Sequence, residues 1–450
     1  MSTTDLEYRR EFARAVSGRQ AIATQEQKYY VAITDDSIRG VELHRRLLDR
    51  IQLGFGDTVT LVTGPRGSGK TSEFLRLGQN LETTGRRVLY ADVTDFLRPT
   101  DAPDAGAFLT AVVAGLIQAL TSGDTRSRTP RLPSRPLLDR LKSIFDRIGV
   151  DGFDVSAGIG FPPVQASVTA HISLRDQLRD QPGFRSALQN AMERNRAQFR
   201  QEMHGLVGDL SQDLAGPDGQ PPVFVVDSAD HIRGNEDPNS PNSYQRVRSA
   251  VEQLFSEYGD ELTLPGLQTI YCAPSYVHCQ WATAMPILNI KVVTEVGNDY
   301  EPGLKQLQRI IAKRAPAHDA QRLFGDEQRL TRVLRASGGL FRDLFGILEN
   351  VIANASDLPA SDRAINQALA ERRRALLGGP NGVNREQVEL LADIADNTHF
   401  RPRQAEQADF EFLEAIGAIL QYPDGPEGFW LGVHPLLRET VAAVRDHPTD

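Results

Sequence analysis

Apolar and polar positions along the chain form blocks that predict strands and helices in turn. Short apolar runs, each with a turn residue or an acidic residue near its end, are typical of buried strands. They lie at 57–64, 86–95, 221–232, 267–276 and 287–296. Segments with helical spacing of apolar residues lie at 41–54, 70–85 and 105–120. Strands that alternate with helices in this way predict a parallel sheet with helical crossovers.

Residues 122–221 interrupt this alternation and are predicted to be an insertion. The stretch 126–147 has seven Arg or Lys residues against two Asp. We interpret it as a solvated basic face, and nucleic-acid binding is the alternative. The Gly-rich, partly alternating segment 152–174 predicts a β-hairpin, and residues 184–213 predict one long polar helix.

The last third of the chain has helical patterns from about residue 299 onward. Helices are predicted near 384–396 and 406–421, and the turn "PDGPEG" before "FWLGV" predicts a wing-like hairpin. We therefore predict six regions. They are an N-terminal segment (1–40), a first core segment with the phosphate loop (41–125), the insertion (126–221), a second core segment (222–297), a helical lid (298–378) and a winged-helix domain (379–450).

Composition narrows the class of protein. The chain has 450 residues and a formal net charge of −9, so it is not a general polyanion binder. Its two cysteines, Cys272 and Cys279, exclude a disulfide framework and a cysteine-rich zinc site. The N-terminus is polar, and no run approaches the roughly 18 apolar residues that span a membrane. We expect a cytoplasmic protein without a membrane partner.

The loop after the first core strand carries the strongest chemical signal. Residues 64–71 match the phosphate-binding pattern G-x-x-x-x-G-K-[ST], between a predicted strand and a predicted helix. Glycines let the backbone N–H groups face phosphate oxygens, and the helix N-terminus adds positive dipole. Lys70 is predicted to reach the β- and γ-phosphates, and the Thr71 hydroxyl to bind magnesium. The predicted nucleotide-binding residues here are Gly64, Pro65, Arg66, Gly67, Ser68, Gly69, Lys70, Thr71 and Ser72.

Four residues elsewhere are candidates for the same site. Asp227 ends a buried strand at the sheet edge where ligands bind in doubly wound folds, so we expect it to hold magnesium. Asp230 is the candidate to polarise the attacking water, and a turn residue is its alternative. Ser275 follows the next core strand and is predicted to sense the γ-phosphate. Arg342 begins a helix after a Gly-Gly turn and is predicted to reach the phosphates, with a helix-start ion pair as its alternative.

With these motifs in this order, the sequence resembles the AAA+ and STAND branches of the P-loop NTPases over roughly residues 30–450. The specific matches are the phosphate loop and "VFVVD". "DSADH" looks like the STAND or NACHT form of the magnesium-binding motif, whereas the usual AAA+ form has a glutamate where Ser228 stands here. "SGGLFRDLF" resembles the sensor-2 segment of initiator-type ATPases and STAND proteins.

The resemblance implies an α/β fold: a P-loop αβα parallel-sheet core with an inserted subdomain, a helical lid and a C-terminal winged helix. It implies ATP and Mg²⁺ as cofactors, Asp227 as the magnesium residue and Asp230 as the water-activating acid. One feature departs from AAA+ motors, because residues 275–290 contain no Lys or Arg that could serve as an arginine finger. Arg309 and Arg314 are substitutes at best, so a nucleotide switch is favoured over a ring motor.

We therefore expect a slow, regulatory ATPase that controls a partner, as similar bacterial proteins do in antiphage defence. Its predicted partners are further copies of itself and a separate effector or sensor, because the chain has no recognisable nuclease, protease or TIR segment. The alternative is a DNA-associated initiator- or transposition-type ATPase. Residues 381–450 have five Arg against thirteen Asp or Glu, a net charge of −8, which disfavours DNA binding. A small-molecule kinase and a non-hydrolysing scaffold are weaker alternatives.

Overall fold

The structure of the chain is a computed structural model. It describes residues 3–17, 26–54, 57–121, 126–127, 132–150, 174–216, 219–234, 243–277, 279–378, 383–425 and 428–446. The chain divides into two compact units. Unit 1 contains residues 1–43, 64–72 and 287–450, and unit 2 contains residues 44–63 and 73–286.

The elements are numbered in chain order. The helices are α1 (Thr3–Val16), α2 (Glu26–Tyr29), α3 (Asp36–Arg39), α4 (Leu43–Leu53), α5 (Lys70–Thr83), α6 (Ala105–Thr121), α7 (Ser134–Ile148), α8 (174–180), α9 (Pro182–Arg194), α10 (Arg196–Leu214), α11 (Ser243–Glu257), α12 (Gly259–Leu262), α13 (Glu301–Arg314), α14 (Gln321–Phe324), α15 (Glu327–Ala336), α16 (Phe341–Asn354), α17 (Asp362–Leu377), α18 (Arg385–Asp396), α19 (Gln407–Ile416) and α20 (Arg438–Asp446). The strands are β1 (Thr58–Thr63), β2 (Val88–Asp92), β3 (Val223–Asp227), β4 (Gln268–Cys272), β5 (Thr283–Pro286), β6 (Ile419–Asp424) and β7 (Gly428–Val433).

Unit 2 is built on a five-stranded sheet in the order β2-β3-β4-β1-β5. Every strand pair in it is parallel. The register places Asp92 opposite Asp227, and Val62 opposite Cys272. The carboxyl ends of β1 to β4 are therefore aligned along one edge of the sheet. The predicted α/β fold with a parallel sheet is confirmed.

One nearly all-apolar helix anchors the core of unit 2. Helix α6 is buried along almost its whole length, which explains why its sequence lacks a polar face. It packs against β2, α7 and α9. The predicted insertion thus contributes α7, α9 and α10 to the same hydrophobic core as the sheet. The hairpin predicted at 152–174 lies outside the described residues, except that Leu174 begins α8.

The long polar helix predicted at 184–213 is in fact two helices. Asn195 interrupts it with non-helical backbone angles (φ −152°, ψ 78°) and caps α10 by accepting a hydrogen bond from the backbone N–H of Gln198. An asparagine side chain competes with the backbone for hydrogen bonds in this way, which favours a helix start over a helix interior.

The prediction of a strand at 287–296 is also wrong. The fifth strand of the sheet is β5, which ends at Pro286, immediately before this segment. In the described structure this apolar segment joins the core of unit 1 instead. Its backbone hydrogen bonds go to separate segments: the N–H of Asn289 to Gln421 O, and the N–H of Lys291 to Ile38 O. Val293 contributes only an isolated bridge to Asp299.

Unit 1 combines a helical core with a C-terminal domain. Helix α16 packs against α1, α15 and α17 and provides the centre of the helical core. In the C-terminal domain, α18, α19 and α20 surround the antiparallel hairpin β6–β7, an arrangement that agrees with the predicted winged helix. Helix α19 ends sooner than predicted because Gly417 (φ +86°) provides its left-handed C-cap, and β6 follows.

Within the described part of the chain, no helix has both the length and the apolar character needed to cross a lipid bilayer.

Candidate nucleotide-binding site

The predicted phosphate loop, residues 64–71, lies in unit 1 and ends in the first turn of α5. Gly64, Gly67 and Gly69 have φ values of +137°, +85° and +96°, in the region that side chains disfavour. At Gly67 a Cβ atom would overlap the Cβ of Arg342. The glycines of the motif therefore satisfy a backbone conformation and a close contact that other residues cannot.

Lys70 is held over this loop. Its side chain is 6% exposed, and its ammonium donates hydrogen bonds to Gly64 O (2.8 Å) and Pro65 O (3.0 Å). The nearby Ser68 hydroxyl is buried and has no hydrogen-bond partner among the described residues. A buried cation beside an unused hydroxyl, at the start of a helix, is a suitable environment for phosphate oxygens.

Arg39, which the sequence analysis missed, supports the loop from the other side. Its guanidinium donates to the carbonyl oxygens of Ser68 and Leu288, and it lies over the ring of Phe341 at 5.4 Å. No pattern in the sequence marks this arginine, because its partners are backbone carbonyls far away in the chain. It satisfies one carbonyl group of the loop, that of Ser68, and joins it to Leu288 outside the loop.

Arg342 connects the phosphate loop to the C-terminal domain within unit 1. Its backbone N–H donates to Gly67 O (3.3 Å). Its guanidinium donates to Ile416 O (3.2 Å) in α19 and to the carboxylate of Asp343 (3.3 Å). Burial lowers the pKa of Arg342, the charge of Asp343 opposes this shift, and Arg372 adds to it. Arg342 thus forms the helix-start ion pair that was its alternative role, with Asp343. That Arg342 reaches the phosphates stays a prediction.

Asp343 is the centre of a buried ionic cluster, which we call the Asp343 cluster (Arg342, Asp343, Arg372 and His434). Asp343 and His434 are both essentially inaccessible to solvent. The carboxylate contacts Arg372 at 2.7 Å and His434 at 3.0 Å. His434 follows the hairpin of the C-terminal domain, so the cluster joins that domain to the helical core of unit 1.

Unit 2 carries the predicted acidic residues at the carboxyl edge of its sheet. The Asp227 carboxylate accepts hydrogen bonds from the Tyr90 hydroxyl and from the backbone N–H of Ser228 (2.7 Å). Burial, followed by the charge of Asp227, raises the pKa of Tyr90 well above its ordinary value. Tyr90 therefore remains a protonated donor. The Ser228 hydroxyl in turn donates to Asp92 (2.9 Å).

Asp230 lies in a short 3-10 turn just after β3 and meets a residue that the sequence analysis did not select. The Cys272 thiol donates to Asp230 Oδ1 with a sulfur–oxygen distance of 3.1 Å. Cys272 ends β4, which lies between β1 and β3 in the sheet. Only the strand order reveals this proximity, and the sequence does not specify that order.

The donor set at this edge agrees with a magnesium ion bound by carboxylates. One ligand atom each of Asp227, Asp230 and Cys272 lies within 4.8 Å of the other two. Magnesium prefers oxygen ligands and binds thiols poorly, so the two carboxylates fit it and the thiol fits better as a donor to Asp230. A bound magnesium ion would supply charge stabilisation to a transferring phosphoryl group.

The remaining predicted residues have simpler positions. Ser275 lies three residues beyond β4 in a turn closed by the hydrogen bond from Val277 N to Pro274 O. Thr71 and Ser72 lie in the first turn of α5 and are partly buried. Arg314, a substitute for the arginine finger, donates to Tyr29 O (3.0 Å) and lies over the ring of Phe345, so it is engaged within its own chain.

No protein-family model matches the chain, and no curated protein matches it. Among solved structures, it matches the crystal structure of Cdc6p from Pyrobaculum aerophilum, with 13% sequence identity. The match covers 95% of this chain and 99% of that chain, and its TM-score is 0.35. At this level of similarity the match carries no argument about activity.

Proposed function

We propose that this chain binds and hydrolyses ATP with Mg²⁺ and acts as a regulatory switch of the AAA+/STAND kind for a separate protein. The observation that carries the proposal is the environment of Lys70. This lysine is almost fully buried, and its ammonium donates to two loop carbonyls beside positive-φ glycines at the start of a helix. A cation in this position suits the phosphates of a nucleoside triphosphate.

The proposed roles follow from the motifs and the contacts. Lys70 and the loop N–H groups bind the phosphates, Thr71 and Asp227 hold magnesium, and Asp230 orients the attacking water. Tyr90 and Cys272 fix the two carboxylates. Hydrolysis requires the loop and the acidic residues to act on one nucleotide, which a kinetic comparison of variants at Lys70 and Asp227 tests directly.

The contacts of Arg342 support a switch rather than a metabolic enzyme. One residue touches the phosphate loop through its backbone and the C-terminal domain through its guanidinium. If the conformation of the phosphate loop changes when ATP is exchanged for ADP, the hydrogen bond from Arg342 to Ile416 O in α19 would therefore change as well. We propose that the C-terminal domain passes this change to a partner, in a role such as bacterial antiphage defence.

The basic segment gives little support to the DNA-associated alternative. In the described part of that segment, Arg140 pairs with Asp209 and Arg147 with Glu202. Arginines that are already matched by carboxylates contribute less to a phosphate-binding surface. A gel-shift titration with ATP at physiological salt decides the question, and sub-micromolar DNA affinity would favour the initiator-type function.

The proposal is tested by Lys70→Ala. We expect ATP affinity to fall at least about 100-fold, since a charge-assisted contact to phosphate and the loop geometry are lost together. Affinity is measured with a fluorescent ATP analogue and by calorimetry. The matched control is Lys305→Ala, which removes an exposed lysine paired with Glu301 and should leave affinity unchanged. Unchanged binding in Lys70→Ala would overturn the assignment of the site.

The switch is tested by hydrogen exchange across residues 407–424 with ATP and with ADP. We expect the two nucleotides to give different protection in the wild-type chain. The difference should disappear in Arg342→Gln, which loses the hydrogen bond to Ile416 O. Equal protection with both nucleotides in the wild-type chain would contradict the switch and leave ATP binding intact.

A further inference from the structure

A cavity of about 220 Å³ lies in unit 1, beside the hairpin of the C-terminal domain. Its walls come from β7, α18, α20 and the turn at 294–298. The turn is fixed by the hydrogen bonds from Thr294 N to Asn298 O and from Gly297 N to Thr294 O, both 2.8 Å. The residues of the proposed nucleotide site do not line this cavity.

Arg438, the first residue of α20, lines the cavity and is only partly exposed. Within the described residues it has neither an ion pair nor a hydrogen bond. Burial lowers the pKa of its guanidinium, Tyr422 opposes this shift, and the charge of Arg335 adds to it. Arg335 already has partners, since it pairs with Asp299 (3.0 Å) and donates to Gly297 O (3.0 Å). Of these two arginines, Arg438 is therefore the one whose guanidinium N–H groups are unused beside the cavity.

Trp430, which also lines the cavity, has a second unused donor. Its side chain is 1% exposed, and its indole Nε1–H has no hydrogen-bond partner among the described residues. A buried N–H without a partner costs about 1–3 kcal/mol. The ammonium of Lys291 lies 5.8 Å from the centre of the Trp430 ring.

The other walls restrict the charge and the size of a ligand. Glu295 lines the cavity and accepts a hydrogen bond from Thr398 (3.3 Å). Its negative charge disfavours a dianion such as phosphate about twice as strongly as a monoanion, because the repulsion scales with the charge of the ligand. Val433, Val441 and Ala442 provide apolar walls. The volume is below the roughly 300–1,000 Å³ of sites for drug-sized ligands, which favours a single ring or short chain.

We infer that this cavity binds a small organic monocarboxylate, with its carboxylate between Arg438 and the indole N–H of Trp430 and its apolar part against Val433 and Val441. The inference is independent of the proposed ATPase function. A ligand here would contact β7, α18 and α20 together and stabilise the C-terminal domain.

The test uses the full chain labelled with 5-fluorotryptophan. The chain has two tryptophans, so Trp281→Phe identifies the fluorine signal of Trp430. The probe is phenylacetate, and phenylacetamide is its neutral control. We expect a saturable shift of the Trp430 signal with phenylacetate and at least tenfold weaker binding of the amide. Equal affinity for the two compounds, or no saturable shift, overturns the inference, as does inorganic phosphate binding as tightly as phenylacetate.

Three variants sharpen the test. Arg438→Gln should weaken phenylacetate at least tenfold without lowering the thermal unfolding midpoint, because the arginine has no partner to lose. Ala442→Phe should block the cavity from an exposed helical position. Arg385→Gln removes an arginine of the same domain that pairs with Glu389 outside the cavity and should not change affinity. Unchanged affinity in both cavity variants overturns the inference, and none of the three should alter ATP affinity.

Discussion

Two buried aspartates, one in each unit, are held by different kinds of donor. Asp343 in unit 1 contacts three basic side chains, those of Arg342, Arg372 and His434. Asp227 in unit 2 accepts hydrogen bonds from the Tyr90 hydroxyl and a backbone N–H. Basic partners compensate a buried charge, whereas neutral donors orient a carboxylate without adding positive charge. The basic partners of Asp343 fit a structural role, and for Asp227 we propose a role in metal binding.

The largest expected effect is on stability, from Asp343→Asn. The change leaves buried basic groups without their carboxylate, which typically costs about 3–5 kcal/mol. Denaturant unfolding in a Trp281→Phe background, followed by the fluorescence of Trp430 in the core of unit 1, measures the loss. The control is Asp362→Asn, which removes an exposed carboxylate paired with Arg329 and should hardly move the midpoint. Equal effects of the two changes would show that the Asp343 cluster is not structural.

The same cluster predicts a loss of stability in acid. Burial alone would raise the pKa of Asp343, but the hydrogen bond and charge of His434 and the charges of Arg342 and Arg372 hold it below its ordinary value of 3.8. Its contribution is therefore full above the unfolded-state pKa and is lost as the pH falls toward the lower folded-state pKa. Below about pH 4, the unfolding free energy should fall more steeply with decreasing pH in the wild-type chain than in Asp343→Asn. Parallel curves for the two proteins would contradict this origin.

The comparison also shows where sequence reasoning works. The strands β1 to β4 and the phosphate loop could be predicted because each depends on local pattern: a short apolar run, or glycines at fixed spacing before Lys70. The segment 287–296 could not, because its apolar run is as suitable for a helical core as for a sheet. Tertiary packing determines which of the two this segment joins, and the local sequence does not indicate it.

The same limit applies to the candidate site. Asp227 and Lys70 stand in motifs that can be read from the sequence alone. Arg39 and Cys272 lie beside predicted residues, and His434 lies beside Asp343, only because of strand order and loop packing. Their partners are 29 to 249 residues away for Arg39, 42 for Cys272 and 91 for His434. Supporting contacts of this kind can be identified only from the three-dimensional structure.

In unit 2, Asp227→Asn should act on catalysis rather than on stability. Loss of a magnesium ligand should lower the rate of ATP hydrolysis at least about 100-fold, or about 2.7 kcal/mol in the barrier. Phosphate release is measured across a magnesium titration, and binding of ATP without metal should change little. Asp209→Asn, which removes an exposed carboxylate of the same unit, is the control. Hydrolysis at the wild-type rate in Asp227→Asn would exclude the metal-binding role.

The smallest expected effect concerns Cys272, and it separates orientation from bulk packing. Loss of its hydrogen bond to Asp230 in Cys272→Ala should lower kcat roughly 2- to 10-fold, as expected for about 0.5–1.5 kcal/mol. KM for ATP should stay the same, because Asp230 is proposed to orient water rather than to bind nucleotide. Cys272→Ser keeps a donor and should restore most of kcat, although it fills the buried position less well. If alanine and serine are equally slow, packing explains the effect. A larger loss of kcat in Ser275→Ala than in Cys272→Ala would support the prediction that Ser275 senses the γ-phosphate.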